Sequence, residues 1–335
     1  MTNRNLNCKN RPFTLNPVGK DYLWGGTTLK EEFNKNIGET PLAESWECST
    51  HPDGINIVKN GIFAGKDLRT VLKEHPEFLG THPKTKGELP ILIKFIDAKE
   101  KLSVQVHPND EYAMKNENGS LGKTELWYVV DAKPDAELVY GFYQDVDKET
   151  VQKSLEKGTI EKYLQKIKVK KDDIFYIEPG TVHAIGAGIL IAEIQESSNL
   201  TYRLYDYERR DKNGKQRELH IDKALEVINY KGGILPRQPL RILRYAPGCA
   251  IESLCRCQYF QVERMLINNR DIKNEFFIET GSNSFQVLLC IDGEGVLIDD
   301  FGESLKFEKG DCIFIPANSV RLNLKGKGQI IRASC

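Results

Sequence analysis

The 335-residue chain has no apolar stretch approaching the ~20 residues a membrane-spanning helix requires. Residues 1–10, Met-Thr-Asn-Arg-Asn-Leu-Asn-Cys-Lys-Asn, contain no apolar core of a secretory leader. Charge of one sign is not in excess. Lys and Arg number 47, Asp and Glu 48, and the net charge of −1 gives no electrostatic reason to expect nucleic acid or an anionic membrane as partner. No glycine-rich loop of Walker or dinucleotide type occurs, so neither ATP nor a nicotinamide is expected. Cysteine is present but unpatterned. Cys8, Cys48, Cys249, Cys255, Cys257, Cys290, Cys312 and Cys335 lack the spacing of a secreted disulfide scaffold, and the Cys255/Cys257 C-x-C has no second pair to complete a zinc site. Free thiols in a cytoplasmic protein are the expectation, and the length suffices for two domains with sizeable cores.

What is present is chiefly β pattern. Apolar runs at 91–96, 102–106, 126–130, 174–177, 189–194, 285–291 and 312–315 are punctuated by Gly, Pro, Asn and Asp. Helical spacing is confined to 67–75, 111–116, 148–166 and 222–228. An internal repeat organises these runs. Asp173-Ile-Phe-Tyr-Ile-Glu-Pro-Gly-Thr-Val-His183 aligns without a gap with Asp311-Cys-Ile-Phe-Ile-Pro-Ala-Asn-Ser-Val-Arg321, and Glu125-Leu-Trp-Tyr-Val-Val-Asp131 aligns with Gln286-Val-Leu-Leu-Cys-Ile-Asp292. The fold class expected is therefore mainly β, as two related barrels with short helical insertions. The first unit covers 1–235, with N-terminal strands and a helical insertion near 148–170. The second covers 241–335.

Chemistry concentrates in the first copy. Strict alternation in Leu102-Ser-Val-Gln-Val-His-Pro108 puts Ser103, Gln105 and His107 on one strand face and Val104 and Val106 on the other. Glu125 opens a later β run, and His183 follows the turn of Glu-Pro-Gly-Thr-Val-His. One Gln, two His and one Glu that converge inside a sheet suit zinc or another divalent first-row metal, with room for water as in a catalytic site. In the second copy Gln286 and Arg321 stand where Glu125 and His183 stand in the first. A guanidinium repels a divalent cation, so that unit is expected to be metal-free.

Four ordered motifs carry a resemblance: Leu-Ser-Val-Gln-Val-His-Pro-Asn-Asp from 102, Gly-Lys-Thr-Glu-Leu-Trp-Tyr-Val from 122, Glu-Pro-Gly-Thr-Val-His-Ala-Ile from 178, and Glu-Ile-Gln-Glu-Ser-Ser-Asn-Leu-Thr-Tyr-Arg-Leu-Tyr-Asp from 193. With Trp24-Gly25-Gly26 and Ala43-Glu-Ser-Trp-Glu47, they resemble the short form of the type I phosphomannose isomerases of the cupin superfamily, over nearly the whole chain. The resemblance implies two cupin-type jelly-roll barrels. It also implies interconversion of mannose 6-phosphate and fructose 6-phosphate by one Zn2+ per chain on Gln105, His107, Glu125 and His183. Arg203 takes an active-site role, while Lys94, Ser103 and Lys123 match positions that line the pocket. After Arg203 the chain departs from long relatives through Glu-Arg-Arg-Asp-Lys-Asn-Gly-Lys from 208, which leaves the phosphate contacts open.

Moving a carbonyl between C1 and C2 removes a proton next to it and returns the proton to the neighbouring carbon, through an enediol with charge developing on oxygen. A divalent metal stabilises that charge as a Lewis acid, and a fixed Arg203 guanidinium can hold the same oxygens. A lysine in a desolvated or cationic setting is a usable base, which points to Lys123, with Glu196 and Glu47 as rivals. Lys94, Ser103 and Arg203 are the candidates for phosphate. The partner expected is a phosphorylated hexose, for a monomer or homodimer. Two other classes remain open: a cupin oxygenase with redox-active iron, against which Gln105 argues, and a non-catalytic sugar-binding bicupin, against which Lys123 and Arg203 argue.

Overall fold

Alternation of apolar and polar residues builds the first half as two facing antiparallel sheets. The computed structural model describes residues 10–38, 40–82, 88–211, 213–236, 242–271, 273 and 275–335. Cys8, the segment 1–9 read for a leader, and 237–241, where the second unit was expected to begin, lie outside the described residues. A six-stranded sheet runs in the order Ile174–Ile177, Glu125–Ala132, Ile189–Glu196, Ile91–Ala98, Glu44–Cys48, Val18–Lys20. Facing it is a five-stranded sheet in the order Tyr202–Tyr205, Val104–Val106, His183–Ala184, Glu137–Phe142, Leu164–Lys168. Trp127, Val129, Ile191 and Ile96 from the first meet Leu138 and Tyr140 from the second in one core. Each such side chain contributes roughly 1.5–3 kcal/mol on burial.

Both sheets are covered on their outer faces as well. Leu126, Tyr128, Ile93, Phe95 and Ile194 pack on Val262, Phe285, Leu289 and Phe314 of the C-terminal half. Val104, Val106 and Tyr202 pack under the helices Lys148–Glu156 and Ile221–Val227 through Val151, Ala224 and Leu225. Ile91–Ala98 and Ile189–Glu196 are consequently buried at every position, which is why they read as almost continuous apolar runs. The charged residues set into them therefore require partners.

The C-terminal half is a ten-stranded sheet curled around its own core of Met265, Ile267, Leu288, Ile313, Leu324 and Ile330. Phe13–Asn16 belongs to it, pairing with Cys312–Ile315 through Phe13 opposite Phe314, so the beginning of the chain is woven into the last sheet. The internal repeat has a structural counterpart. Ile177 stands opposite Glu125, and Ile315, its match, stands opposite Gln286.

The mainly β class with helical insertions agrees with the sequence expectation, but the expected helix over 148–166 is shorter. Asp147 caps Lys148–Glu156 by accepting from Thr150 N at 2.7 Å, and Gly158 at φ +63° ends the helical course. After a short 3-10 turn, Leu164–Lys168 becomes a strand paired with Glu137–Phe142. Every described cysteine is a free thiol. Among the described residues, no helix is long and apolar enough to cross a membrane.

Candidate active site

Three strand ends meet inside the first half. His183 lies opposite both Gln105 and Tyr140, while Gln105 lies opposite both His183 and Arg203. Pro108 cannot extend the ladder, so the regular strand is only Val104–Val106, and His107 sits just beyond it with its carbonyl accepting from Gly180 N at 2.9 Å. Glu125 opens its strand directly across the gap. Its Oε1 is 3.2 Å from His107 Nε2 and 2.6 Å from Lys123 Nζ, and its Oε2 is 3.8 Å from His183 Nε2. The Gln105 amide reaches the same point, with Nε2 3.3 Å from His183 Nε2. Among the described residues, His107, Glu125 and His183 form the one group of three or more such ligands with atoms this close together.

These groups fit a metal. Both Glu125 oxygens and His107 Nδ1 are buried without a well-formed hydrogen bond, the Lys123 contact being an ion pair. His183 Nδ1 lies 2.8 Å from the Thr181 carbonyl and donates to it, which leaves Nε2 as a free lone pair facing Glu125. Burial and the Lys123 cation push His107 down to about 3, and burial lowers His183 too, so both imidazoles are neutral. Burial would raise Glu125, but the Lys123 ammonium beside it acts the other way, and the carboxyl is held well below its usual range. Two neutral imidazoles, one carboxylate and an amide are a hard-to-borderline donor set.

Around this centre the sequence candidates separate. Arg203 and Ser103 lie beside it: Arg203 Nε donates to Ser103 Oγ at 3.2 Å and Nη1 to Glu218 O at 2.7 Å. Lys94 shares the inward face in a cross-strand row with Trp46, Glu193 and Trp127. Its Nζ is 2.8 Å from Glu193 and 3.7 Å from Glu44, and Trp127 Nε1 donates to Glu193 at 2.7 Å. Burial works to lower the Lys94 proton affinity, yet Glu193 and Glu44 reverse the sign and fix the ammonium. Burial and the nearby Glu125 charge raise Glu193, against Lys94.

Two expected residues fall elsewhere. Glu47 is buried on the opposite side of its sheet, ion-paired to Lys35 at 2.7 Å and accepting from Ser45 Oγ at 2.5 Å, so it faces the C-terminal half instead of the His107–Glu125–His183 cluster. Glu196 also points that way, accepting from Thr124 N at 2.7 Å. The reason is parity: Glu193 and Glu196 are three residues apart on one strand, so only one of them can face inward. Glu193 was the residue not singled out from sequence. Its signal was Lys94, a lysine inside an apolar strand that needed a carboxylate across from it.

Two family models match this chain: "Phosphomannose isomerase type I, catalytic domain" over residues 13–134 and "Mannose-6-phosphate isomerase, cupin domain" over residues 250–335. The mannose-6-phosphate isomerase ManA of Bacillus subtilis is 38% identical over 96% of this chain and 98% of its own. The probable mannose-6-phosphate isomerase GmuF of the same organism is 48% identical over 94% and 96%. The crystal structure of the B. subtilis mannose 6-phosphate isomerase superposes with a TM-score of 0.88 at 35% identity, covering 96% of this chain and 99% of that one. Sheet order, ligand cluster and whole-length similarity agree: the chain belongs to the type I phosphomannose isomerase family, with a cupin domain in its C-terminal half.

Proposed function

We propose that this protein is an aldose–ketose isomerase that interconverts mannose 6-phosphate and fructose 6-phosphate, with one zinc ion per chain on Gln105, His107, Glu125 and His183. The observation that carries the reading is the buried His107–Glu125–His183 cluster with its unsatisfied carboxylate oxygens, flanked by a guanidinium and an ammonium. The activity in the names of the B. subtilis relatives supports it. When bound, the metal supplies Lewis acidity toward the C1 and C2 oxygens of the sugar.

The remaining work falls to the chain's own side chains. Arg203, braced by Ser103 and the Glu218 carbonyl, presents its guanidinium to charge developing on substrate oxygen. Lys123 and Glu193 are the two titratable groups from which a proton can be moved between adjacent carbons, and both are buried on the inner face. Trp127, packed 5.3 Å from the His183 ring, helps exclude water. Lys94 orients Glu193 and Glu44, and Ser103 orients Arg203. The unit from about 241 onward carries no metal: Gln286 bonds Glu279 O at 3.1 Å, and Arg321 is paired with the Glu279 carboxylate at 2.7 Å. Its work is to bury the outer face of the six-stranded sheet. We place the enzyme in the cytoplasm, as a monomer or homodimer that acts without nucleic acid or membrane.

The test is formation of fructose 6-phosphate from mannose 6-phosphate by purified protein, with oxygen uptake followed in parallel. Ketose formation without oxygen consumption is expected. Oxygen consumption, or sugar binding with no turnover, overturns the proposal.

A further inference from the structure

The cations first assigned to phosphate are already committed. Lys94 is held between two carboxylates, and Arg203, fixed by Ser103 and Glu218 O, is the guanidinium assigned above to the charge developing on the reacting oxygens. A phosphate dianion needs positive charge that is not already balanced, preferably a guanidinium with free N–H groups. Such a group lies in 206–217, a segment outside the residues that either family model matches. Here Arg209 and Arg217 both bind the single carboxylate of Asp206, which is almost fully buried, and Arg203 lies three residues before it in the chain. Arg209 and Arg217 together hold that carboxyl below its usual range despite burial, so it stays ionised and one negative charge faces two positive ones.

The two guanidiniums that bind Asp206 are not equivalent. Arg209 spends Nε and Nη2 on Asp206 and Nη1 on the Lys101 carbonyl at 2.5 Å. Arg217 binds the Asp206 carboxylate with Nε at 2.8 Å and with Nη2, which leaves Nη1 without a partner among the described residues. Its side chain is 25% exposed, enough for a ligand to reach. A hairpin delivers it: Arg210 bridges to Gln216, and Asp211 Oδ1 accepts from Asn213 N and Lys215 N, both at 2.8 Å. The carbonyl of Glu218, the next residue in the chain, accepts from Arg203 Nη1 at 2.7 Å, which sets Arg217 beside Arg203.

We propose that Arg217, oriented by Asp206 beside Arg203, selects phosphorylated sugars by binding the terminal phosphate dianion. The assignment rests on the isomerase reading and adds to it the residue that distinguishes a hexose phosphate from a free hexose. Arg209 neutralises Asp206, and thereby frees the charge of Arg217 for the ligand. The six-carbon chain separates the phosphate from C1 and C2, so Arg217 contributes to binding and not to proton transfer.

The experiment compares wild type, Arg217→Gln and Arg217→Lys as metal-loaded full-length protein, with inorganic phosphate and mannose 6-phosphate as probes. A lost charge-assisted contact from Nη1 predicts a KM for mannose 6-phosphate raised roughly 10- to 100-fold in Arg217→Gln with kcat within about threefold. Inorganic phosphate, read by calorimetry without turnover, should weaken by a similar factor. Arg217→Lys, which keeps charge but cannot bind Asp206 through a fork while presenting a third nitrogen to the ligand, should fall between. Metal content and melting temperature should match wild type. Unchanged phosphate affinity in either folded variant overturns the proposal, as does a fall in kcat at constant KM. If wild type binds phosphate through Arg217 and yet forms no ketose, the isomerase reading fails and this one stands. If Arg217→Gln does not fold, the phosphate affinity of Arg217→Lys decides: equality with wild type refutes the assignment.

Discussion

Replacing Glu196 by Gln should flatten part of the pH dependence of stability. Glu196 is buried between the two halves, accepting from Thr124 N and lying beside Asp110, whose Oδ2 accepts from Tyr259 Oη of the C-terminal half at 2.9 Å. Burial pushes its carboxyl up from the usual 4.5 to about 8, with the Asp110 charge adding to the shift against the Thr124 hydrogen bonds. A carboxyl that holds its proton more tightly when folded stabilises the fold fully below the unfolded value. That stability is lost as pH rises toward the folded value. Between about pH 5.5 and 7.5 the slope is about −1.36 kcal/mol per unit, or about 2.7 kcal/mol across the window. Glutamine has no proton to lose, and its amide can still accept from Thr124 and donate to Asp110. Urea unfolding of both proteins across that window measures the difference between the two slopes. His107 and His183 are the same in both proteins, so their contribution cancels. Equal slopes in wild type and variant would refute a neutral, interface-clamping Glu196.

Further outcomes follow from the site geometry. His183→Ala and Glu125→Ala should lose both metal and turnover, whereas Arg203→Ala should keep stoichiometric metal and lose turnover by about two orders of magnitude or more; metal analysis beside kinetics distinguishes them, and metal loss in Arg203→Ala would make that residue part of the ligand scaffold. Lys123→Arg keeps the positive charge and removes a titratable base, so kcat should fall by about two orders of magnitude or more. Near-normal solvent exchange at C2 in deuterated water would instead assign the proton transfer to Glu193. Arg321→Gln, in the second unit, should leave metal stoichiometry and activity unchanged, and a second metal found in the wild-type C-terminal half would contradict its structural role.

Much of the fold was legible because its signals are local. Alternation in 102–107 put Gln105 and Ser103 on the face that Arg203 also reaches, and the gapless repeat captured a pairing register found in both halves. What escaped was set by distant partners. Nothing near Phe13–Asn16 in the chain announces that it pairs with Cys312–Ile315. The helix expected through residue 166 ended early because Gly158 takes a positive φ and the next residues find a strand partner. Glu47 and Glu196 were weighed as rival bases to Lys123, but sheet parity turns both toward the C-terminal half, while Glu193 and Lys94 satisfy each other on the inside. Arg217 gave no motif at all, since its role depends on a carboxylate and a guanidinium that a hairpin brings beside it.

The most direct test of the central claim measures mannose 6-phosphate isomerisation and bound metal on the same purified sample, before chelation, after it, and after zinc is returned. Activity should disappear in proportion to one metal lost per chain and recover with one zinc restored. Full turnover in rigorously metal-free protein would contradict the account.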